Sequence, residues 1–167
     1  MNRARPTPNA CWDMMQATAK AQREAGQPAP LFKAVHNAID TLIGAKLLTI
    51  LAVLPDRSVE RLYTNDPVNY PLLGRKPANE TAWSRTVISG KRSYLGRTYE
   101  DIKSVFYDHE LIRSLGCESV INLAVVNDDR VVGLVNILHG ANYYDEADVA
   151  VGEPFAQLLA PAFLSIR

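Results

Sequence analysis

The sequence predicts an α+β fold, with terminal helices packed on one face of a mostly antiparallel β-sheet. The first observation is a hairpin pattern: residues 120–126 and 131–138 are rich in β-branched residues and flank the short polar segment 127–130. Both runs are apolar at nearly every position, so other elements should cover both faces of the sheet. The second observation is helical periodicity before the first strand and after the last, which predicts a helix at each end of the chain.

The N-terminal part predicts a loose tail and then a helix over residues 9–25, with Asn9 as its N-cap and Gly26 as its stop. The apolar stripe of this helix is formed by Trp12, Met15, Ala19 and Gln22. The proline-rich linker 27–30 separates it from the main body. A helix in this position more often packs on a partner subunit than in a monomer core.

The main body begins with an amphipathic helix that ends at Gly44 and whose apolar stripe is Leu31, Val35, Ile39 and Leu42. Residues 47–54 and 59–64 are predicted strands. Three prolines and a glycine make residues 65–78 a long irregular loop.

After that loop, Asn79 is the expected N-cap of a middle helix that carries Trp83 and ends at Gly90. A short strand follows at residues 93–95. Residues 97–116 form a second polar and aromatic loop, with a short helix over residues 109–115.

The final predicted helix spans residues 146–166, where Pro154 and Pro161 should cause a bend or a late start. Its apolar stripe is Val149, Phe155, Leu158, Leu159 and Phe163. The order α-α-β-β-loop-α-β-loop-β-β-α allows the terminal helices to pack together on one face of the sheet. The middle helix and the two long loops then cover the other face, which gives two layers and a lid.

Composition describes an ordinary soluble domain. The 167 residues are 47% apolar and 22% charged, with 18 basic and 18 acidic side chains. No basic block of the kind that follows phosphates is present, which disfavours nucleic acid as a partner. The apolar run at residues 47–54 is too short to span a membrane, and no secretory signal follows the basic N-terminus. Two cysteines make no disulfide framework, so we expect a cytoplasmic protein.

Three segments resemble the GAF domain family over roughly residues 31–163. They are D-H-E-L-I-R-S-L-G-C-E-S-V-I-N-L-A-V-V at 108–126, D-R-V-V-G-L-V-N-I-L at 129–138 and T-A-W-S-R-T-V-I-S-G-K-R-S at 81–93. The family shows a short helix, a Leu-Gly turn, a serine before an apolar strand and a following strand with a central glycine. The pattern is degenerate, and its specificity comes from all pieces occurring in order at the right distances.

The resemblance implies a pocket on one face of the sheet, roofed by the middle helix and the two long loops. Family members mostly bind small molecules there and report occupancy through helical dimer contacts. We therefore expect a tail and leading helix at residues 1–27 and a GAF-like domain at 28–167 that binds a small organic ligand and forms a homodimer through its terminal helices. Since no output domain follows the last helix, a sensory role would need a separate signalling partner.

The specialised branches of the family fit this sequence poorly. The spaced Asn-Lys-Phe-Asp-Glu signature of the cyclic-nucleotide branch cannot be laid over it. The methionine sulfoxide reductase branch needs several cysteines on the roof loops, whereas only Cys117 lies near them and Cys11 is in the leading helix. The bilin pattern of a cysteine beside a histidine is absent as well. No cofactor is implied by any motif.

The two long loops and the middle helix are rich in aromatic residues: Tyr70, Trp83, Tyr94, Tyr99, Phe106 and Tyr107. Aromatic walls with a few polar groups hold small planar or apolar ligands. The alternative is that these rings only pack the roof onto the sheet. As a set they favour a pocket.

Polar candidates for ligand contacts are His109, Ser119 and Asn122. A buried amide such as that of Asn122 needs a partner, which is a ligand, a roof loop or a water. Asp108 and Glu110 suit helix capping better than metal binding, because consecutive residues at a helix start do not share a face. Cys117 should be a small half-buried residue, with a thiol pKa raised by its neighbour Glu118.

The sequence leaves the function open between two main classes. The first is a sensory module whose ligand-binding residues are Tyr70, Trp83, Tyr94, Phe106, Tyr107, His109, Ser119 and Asn122. The second is a small enzyme in the same pocket, with His109 and Tyr107 as acid/base residues and metal assistance as an option. Binding of haem or iron through His109 is a third, weaker hypothesis. The sequence contains none of the familiar nucleophile, zinc or phosphate-binding motifs.

Overall fold

A computed structural model describes residues 4–77 and 79–165 of the chain. Its centre is a six-stranded sheet with the order β3-β2-β1-β6-β5-β4, in which every neighbouring pair is antiparallel. The strands are β1 Leu47–Val53, β2 Val59–Thr64, β3 Arg75–Lys76, β4 Tyr94–Gly96, β5 Ser119–Asn127 and β6 Arg130–His139. The α+β class with a mostly antiparallel sheet is therefore confirmed.

Helices precede, interrupt and follow the strands. They are α1 Pro8–Ala21, α2 Ala29–Leu42, α3 Ala82–Ser84, α4 Tyr99–Val105, α5 His109–Ser114, α6 Glu146–Gln157 and α7 Ala160–Ser165. A π-helical turn, Arg85–Ser89, continues directly from α3. No helix in the described part of the chain is long and apolar enough to cross a membrane.

The hairpin of β5 and β6 forms as the sequence predicts, but it is not the exact centre of the sheet, because the two middle strands are β1 and β6 and β5 lies between β6 and the edge strand β4. Its turn consists of Asp128 and Asp129, which both have positive φ angles, 49° and 55°. Two such residues in succession match the twist of the flanking strands, and aspartate tolerates this conformation better than most residues. The register shifts by one residue between Val125 and Val126, which forms a bulge next to the turn.

One face of the sheet is covered by α1, α2, α6 and α7, which confirms that the terminal helices pack together. The sheet contributes Leu48, Ile50, Ile121, Leu123, Val135 and Ile137 to this core, the helices contribute Ile39, Phe155 and Phe163, and Leu159 joins them from the turn between α6 and α7. The opposite face carries two smaller apolar clusters, around Ile102 and Val87, beneath the roof elements. The sheet thus has a packed helical layer on one face and the roof elements on the other.

The leading helix differs from its prediction in its N-cap, its end and its buried side, and it ends at Ala21 rather than at residue 25 before Gly26. Thr7, not Asn9, is the N-cap, and its hydroxyl accepts a hydrogen bond from the backbone N–H of Ala10. Cys11, Met14 and Met15 pack on the helical core of the same chain, whereas Trp12 is 63% exposed. The true stripe therefore lies about one residue away from the predicted one, because Trp12 and Ala19 face outward.

Three further elements differ from the sequence prediction. The loop 65–78 contains the short strand β3, and the loop 97–116 contains the additional helix α4. The middle helix is capped by Thr81 rather than Asn79. The bend predicted for the final helix is confirmed: the helix is split at Leu158–Leu159, because Pro161 has no N–H to bond the carbonyl of Gln157.

Candidate ligand-binding site

A cavity of about 580 Å³ lies between the sheet and the roof. Leu51 and Leu134 form part of its floor on β1 and β6. The roof and rim are formed by residues from three segments, namely Lys76, Pro77, Asn79, Glu80, Thr81, Trp83, Ser84, Ile88, Val105, Phe106 and Tyr107. Arg57, Val59 and Asn136 complete the lining. Its volume lies within the range of small-molecule sites, and its walls are mainly apolar and aromatic.

The roof is shaped by local sequence features of the middle helix. The hydroxyl of Thr81 accepts from the backbone N–H of Ser84, and the hydroxyl of Ser84 accepts from that of Thr81. After this capping box the helix widens, and the N–H of Gly90 bonds the carbonyl of Arg85. Such π-helical turns are frequent at functional sites. Here the turn buries Val87 against the sheet and directs Ile88 into the cavity lining.

A chain of polar side chains crosses the sheet beneath the roof. The indole N–H of Trp83 donates to Oδ1 of Asn122 at 2.9 Å, and Nδ2 of Asn122 donates to Oδ1 of Asn136 at 2.7 Å. Nδ2 of Asn136 in turn donates to the hydroxyl of Thr49 at 3.3 Å. Asn122 is fully buried, so these bonds satisfy an amide that would otherwise be costly to bury. The chain fixes the roof to three neighbouring strands.

One end of the cavity is charged. Nζ of Lys76 lies 3.4 Å from Oδ1 of Asp108, and the hydroxyl of Tyr70 donates to Oδ2 of the same carboxylate at 3.1 Å. Arg61 lies over the Tyr70 ring at 4.9 Å and lines a second cavity of about 30 Å³. Burial lowers the pKa of both Lys76 and Arg61, while burial and the Asp108 carboxylate raise the pKa of Tyr70.

The predicted ligand contacts fall into three groups. Trp83, Phe106 and Tyr107 line the large cavity. Tyr70 and Asn122, together with Phe106, line the small one. Tyr94, His109 and Ser119 line neither cavity. The hydroxyl of Tyr94 bonds the carbonyl of Asp101 at 3.4 Å, and that of Ser119 bonds the carbonyl of Gly140 at 2.7 Å.

His109 begins α5 and turns away from the cavity. Its Nδ1 lies 2.7 Å from the hydroxyl of Tyr99, whose ring is also covered by the guanidinium of Arg113 at 4.4 Å. Asp108 occupies the N-cap position of this helix, as predicted, but its side chain makes no cap hydrogen bond. Its carboxylate is directed instead to Lys76 and Tyr70, so the tertiary contacts outweigh local capping.

Several lining residues were missed at the level of sequence. Leu51 and Leu134 look like ordinary strand residues, since nothing in the chain shows that a cavity lies above them. Arg61 had a readable signal: it shares a strand face with Val59, so a charge is placed at a position that alternation assigns to the interior. The sequence signal for Lys76 was weaker. Lys76 follows the loop that contains Tyr70, but the equally basic Arg75 lies beside it, and the sequence does not show which of the two faces the interior.

The arrangement of the described residues supports neither a metal site nor a nucleophilic thiol at Cys117. No group of three or more histidine, cysteine, aspartate or glutamate side chains is arranged to hold a metal ion there. Cys117 is fully buried, and this burial raises the pKa of its thiol to about 11. The cause is therefore burial, whereas the sequence prediction assigned the rise to Glu118. A thiol of this kind is a poor nucleophile at neutral pH.

A six-stranded antiparallel sheet, with the terminal helices on one face and a roofed cavity on the other, defines an α+β domain with an internal cavity. Residues 28–163 match the family model described as GAF domain. The match covers most of the chain, and the protein belongs to the GAF domain family. A comparison with curated proteins found no match.

Solved structures with the same fold come from sensory proteins. The chromophore-binding domain of the bacteriophytochrome RpBphP3 from R. palustris has a TM-score of 0.72 and 14% identity over 99% of this chain. This chain spans 62% of that protein chain. The GAF domain of a two-component sensor histidine kinase from Bacillus halodurans has a TM-score of 0.70 and 14% identity, covering 85% of this chain and 97% of that one. At this identity the likeness concerns the fold.

Proposed function

We propose that this chain is a sensory GAF domain that binds a small organic molecule in the roofed cavity. The observation that carries the proposal is the space of about 580 Å³ between Leu51 and Leu134 on the sheet and the rings of Trp83, Phe106 and Tyr107 on the roof. Apolar walls with few polar groups provide both the driving force and the orientation for such a ligand. The sensory origin of the structural neighbours supports the same role.

The hydrogen bond between the roof and the sheet offers a way to transmit occupancy. A ligand beneath Trp83 would contact the side chain that bonds Asn122 on β5. The other face of β5 packs against α6. The proposed signal therefore passes from roof to sheet to terminal helices, and from there to a separate signalling partner.

Homodimerisation through the terminal helices is part of the proposal. Trp12 on α1 is 63% exposed and Leu164 on α7 is 44% exposed. Large apolar side chains at these positions suit an interface between two copies. Size-exclusion chromatography with light scattering should show a dimer, and Trp12→Glu should shift it to a monomer. A monomeric wild-type protein at cellular concentrations would contradict this part.

The geometry favours binding over the alternative of an acid/base enzyme. Tyr107 lines the cavity, but His109 lies outside the lining and is hydrogen-bonded to Tyr99. A general acid and a general base that act on one substrate must both lie within hydrogen-bond reach of the substrate atoms that gain or lose a proton. These two residues do not meet that condition across the cavity.

The proposed function is tested on gently purified protein. Native mass spectrometry with metal analysis should reveal a retained small molecule, or a thermal-shift screen of neutral and charged metabolites should find one. At about 100 times Kd a ligand should raise Tm by roughly 5–10 °C.

A cavity-filling variant localises the effect. Ile88→Trp places an indole in the cavity and should remove the thermal shift, whereas Leu111→Trp adds the same ring on α5, outside the cavity lining. Circular dichroism verifies that both variants are folded. A ligand that stabilises Ile88→Trp as strongly as the wild type would show that binding occurs elsewhere, and no ligand from either experiment would contradict the proposed function.

A further inference from the structure

The charged end of the cavity holds more positive than negative charge. Its buried or half-buried ionic groups are the guanidinium of Arg61, the ammonium of Lys76 and the carboxylate of Asp108. Arg57 and Glu80 also line the large cavity, but both residues are exposed, so solvent screens their charges. Two cations with one carboxylate leave one excess positive charge where solvent screening is weak.

Arg61 is poorly satisfied for a buried arginine. The residue is only 7% exposed, and its Nη1 donates to the carbonyl of Pro71 at 2.9 Å. Its Nε has no hydrogen-bond partner. Among the described residues no carboxylate lies within 4.0 Å of its guanidinium, so Asp108 acts on it only at longer range. Burying a charge is costly unless a counterion compensates it.

Lys76 connects the two cavities. Together with Leu51, Phe106 and Asn136 it lines both the large cavity and the adjoining one of about 30 Å³. Its Nζ lies 5.7 Å from the centre of the Phe106 ring and 4.9 Å from that of Tyr107. Asp108 holds this ammonium with one long contact of 3.4 Å and at the same time accepts from Tyr70. An ammonium has three donors, so Lys76 has donors to offer a second anion.

We propose that the ligand is a small monocarboxylic acid with a flat apolar body, whose carboxylate is bound by Lys76 at the junction of the two cavities. The apolar body lies between the floor formed by Leu51 and Leu134 and the ring of Trp83. One carboxylate cancels the excess positive charge of Arg61 and Lys76. Because Lys76 lines both cavities, a carboxylate in the large cavity can reach its ammonium at the junction. This inference rests on the proposed function and names the ligand class for the same site.

The test compares acids with neutral partners of nearly the same shape. Phenylacetate, 3-phenylpropionate and naphthalene-1-acetate are titrated into the protein by calorimetry at neutral pH, each beside its amide. The ionised acids should bind at least about tenfold more tightly than the amides, as is typical for hydrogen bonds to charged groups. The preference should weaken with added salt.

Two variants assign the preference to Lys76. Lys76→Met should lower the affinity for the acids by about tenfold or more, while the affinity for the amides changes by less than about threefold. Lys91→Met is the matched control, because it also removes an ion-paired ammonium, that bonded to Asp129, but lies outside both cavities. It should keep the full preference for acids, and thermal melts verify folding of both variants.

The outcomes separate this inference from the proposed function. Equal binding of acids and amides, or an acid preference that survives in Lys76→Met, would overturn the inference and leave a ligand-binding cavity in place. A neutral or cationic molecule retained from purification would do the same. Absence of binding by both series would also overturn the inference, whereas the proposed function is judged by the screen of neutral and charged compounds described above.

Discussion

The indole N–H of Trp83 donates a hydrogen bond to the amide oxygen of Asn122 at 2.9 Å. The bond joins the roof of the cavity to strand β5, which also packs against the helical layer through its other face. Trp83 is half-buried and lines the cavity, while Asn122 is fully buried in the sheet. Through this hydrogen bond the roof is in direct, directional contact with the buried core.

Breaking this contact should destabilise the domain and loosen the roof. Asn122→Leu leaves the indole N–H of Trp83 and the amide oxygen of Asn136 without their partner, so the free energy of unfolding should fall by about 1–3 kcal/mol. Urea unfolding measures it. A double-mutant cycle with Trp83→Phe should give a coupling of about 1 kcal/mol. If the two losses were simply additive, the bond would not contribute to roof attachment.

A second prediction concerns the close packing of Gly133 on β6 and Phe163 on α7. A Cβ atom added at Gly133 would lie 2.2 Å from the Phe163 ring. Gly133→Ala should therefore lower the free energy of unfolding by about 1–3 kcal/mol, and Phe163→Leu should make that substitution less costly. Gly140→Ala is the control, because its Cβ would meet nothing within 4 Å, and it should change stability by less than about 0.5 kcal/mol. Equal effects of the two alanines would disprove the packing argument.

His36 should make stability depend on pH. Burial lowers its pKa below the ordinary value of 6.5, although Asp40 opposes the shift, and its Nδ1 lies 2.7 Å from the hydroxyl of Tyr63. The unfolded chain therefore binds a proton at this residue at a higher pH than the folded chain does. Stability from His36 is present above about pH 6.5 and is lost as the pH falls through its folded pKa.

The measurement is urea unfolding at several pH values between about 7.5 and 5, for wild type and His36→Gln. The variant should lose less stability than the wild type on acidification across this range. A wild type whose stability falls no more than that of the variant would show that the burial of His36 has no titration consequence.

Thiol reactivity should differ sharply between the two cysteines. Burial raises the pKa of Cys117 to about 11, whereas Cys11 on α1 is only half-buried. At about pH 8, iodoacetamide should modify Cys117 at least about 100-fold more slowly than a free thiol, and Cys11 should react first. Peptide mapping by mass spectrometry follows both sites, and unfolding in urea should equalise them. Rapid native labelling of Cys117 would contradict its burial.

The sequence by itself determined the elements with strong local signals. The hairpin at 120–138 follows from two β-branched runs and a short polar turn, and the helix around Leu31–Leu42 follows from apolar spacing. Elements without a local signal were missed: β3 has two residues and exists only because Val59 and Glu60 pair with it. The cap of the middle helix was misplaced because Asn79 and Thr81 are both residues that favour the N-cap position.

For the site, composition predicted aromatic roof residues but not their arrangement. Trp83, Phe106 and Tyr107 meet over one cavity, whereas His109 bonds Tyr99 outside it. Nothing in the sequence distinguishes the residues that reach the cavity from those that do not. The pairing of Lys76 with Asp108 across 32 positions depends on how two loops fold back over the sheet. Side-chain chemistry and periodicity are local properties of the chain. Cavities, buried charges and the direction of a side chain arise from long-range packing, and only the tertiary structure decides them.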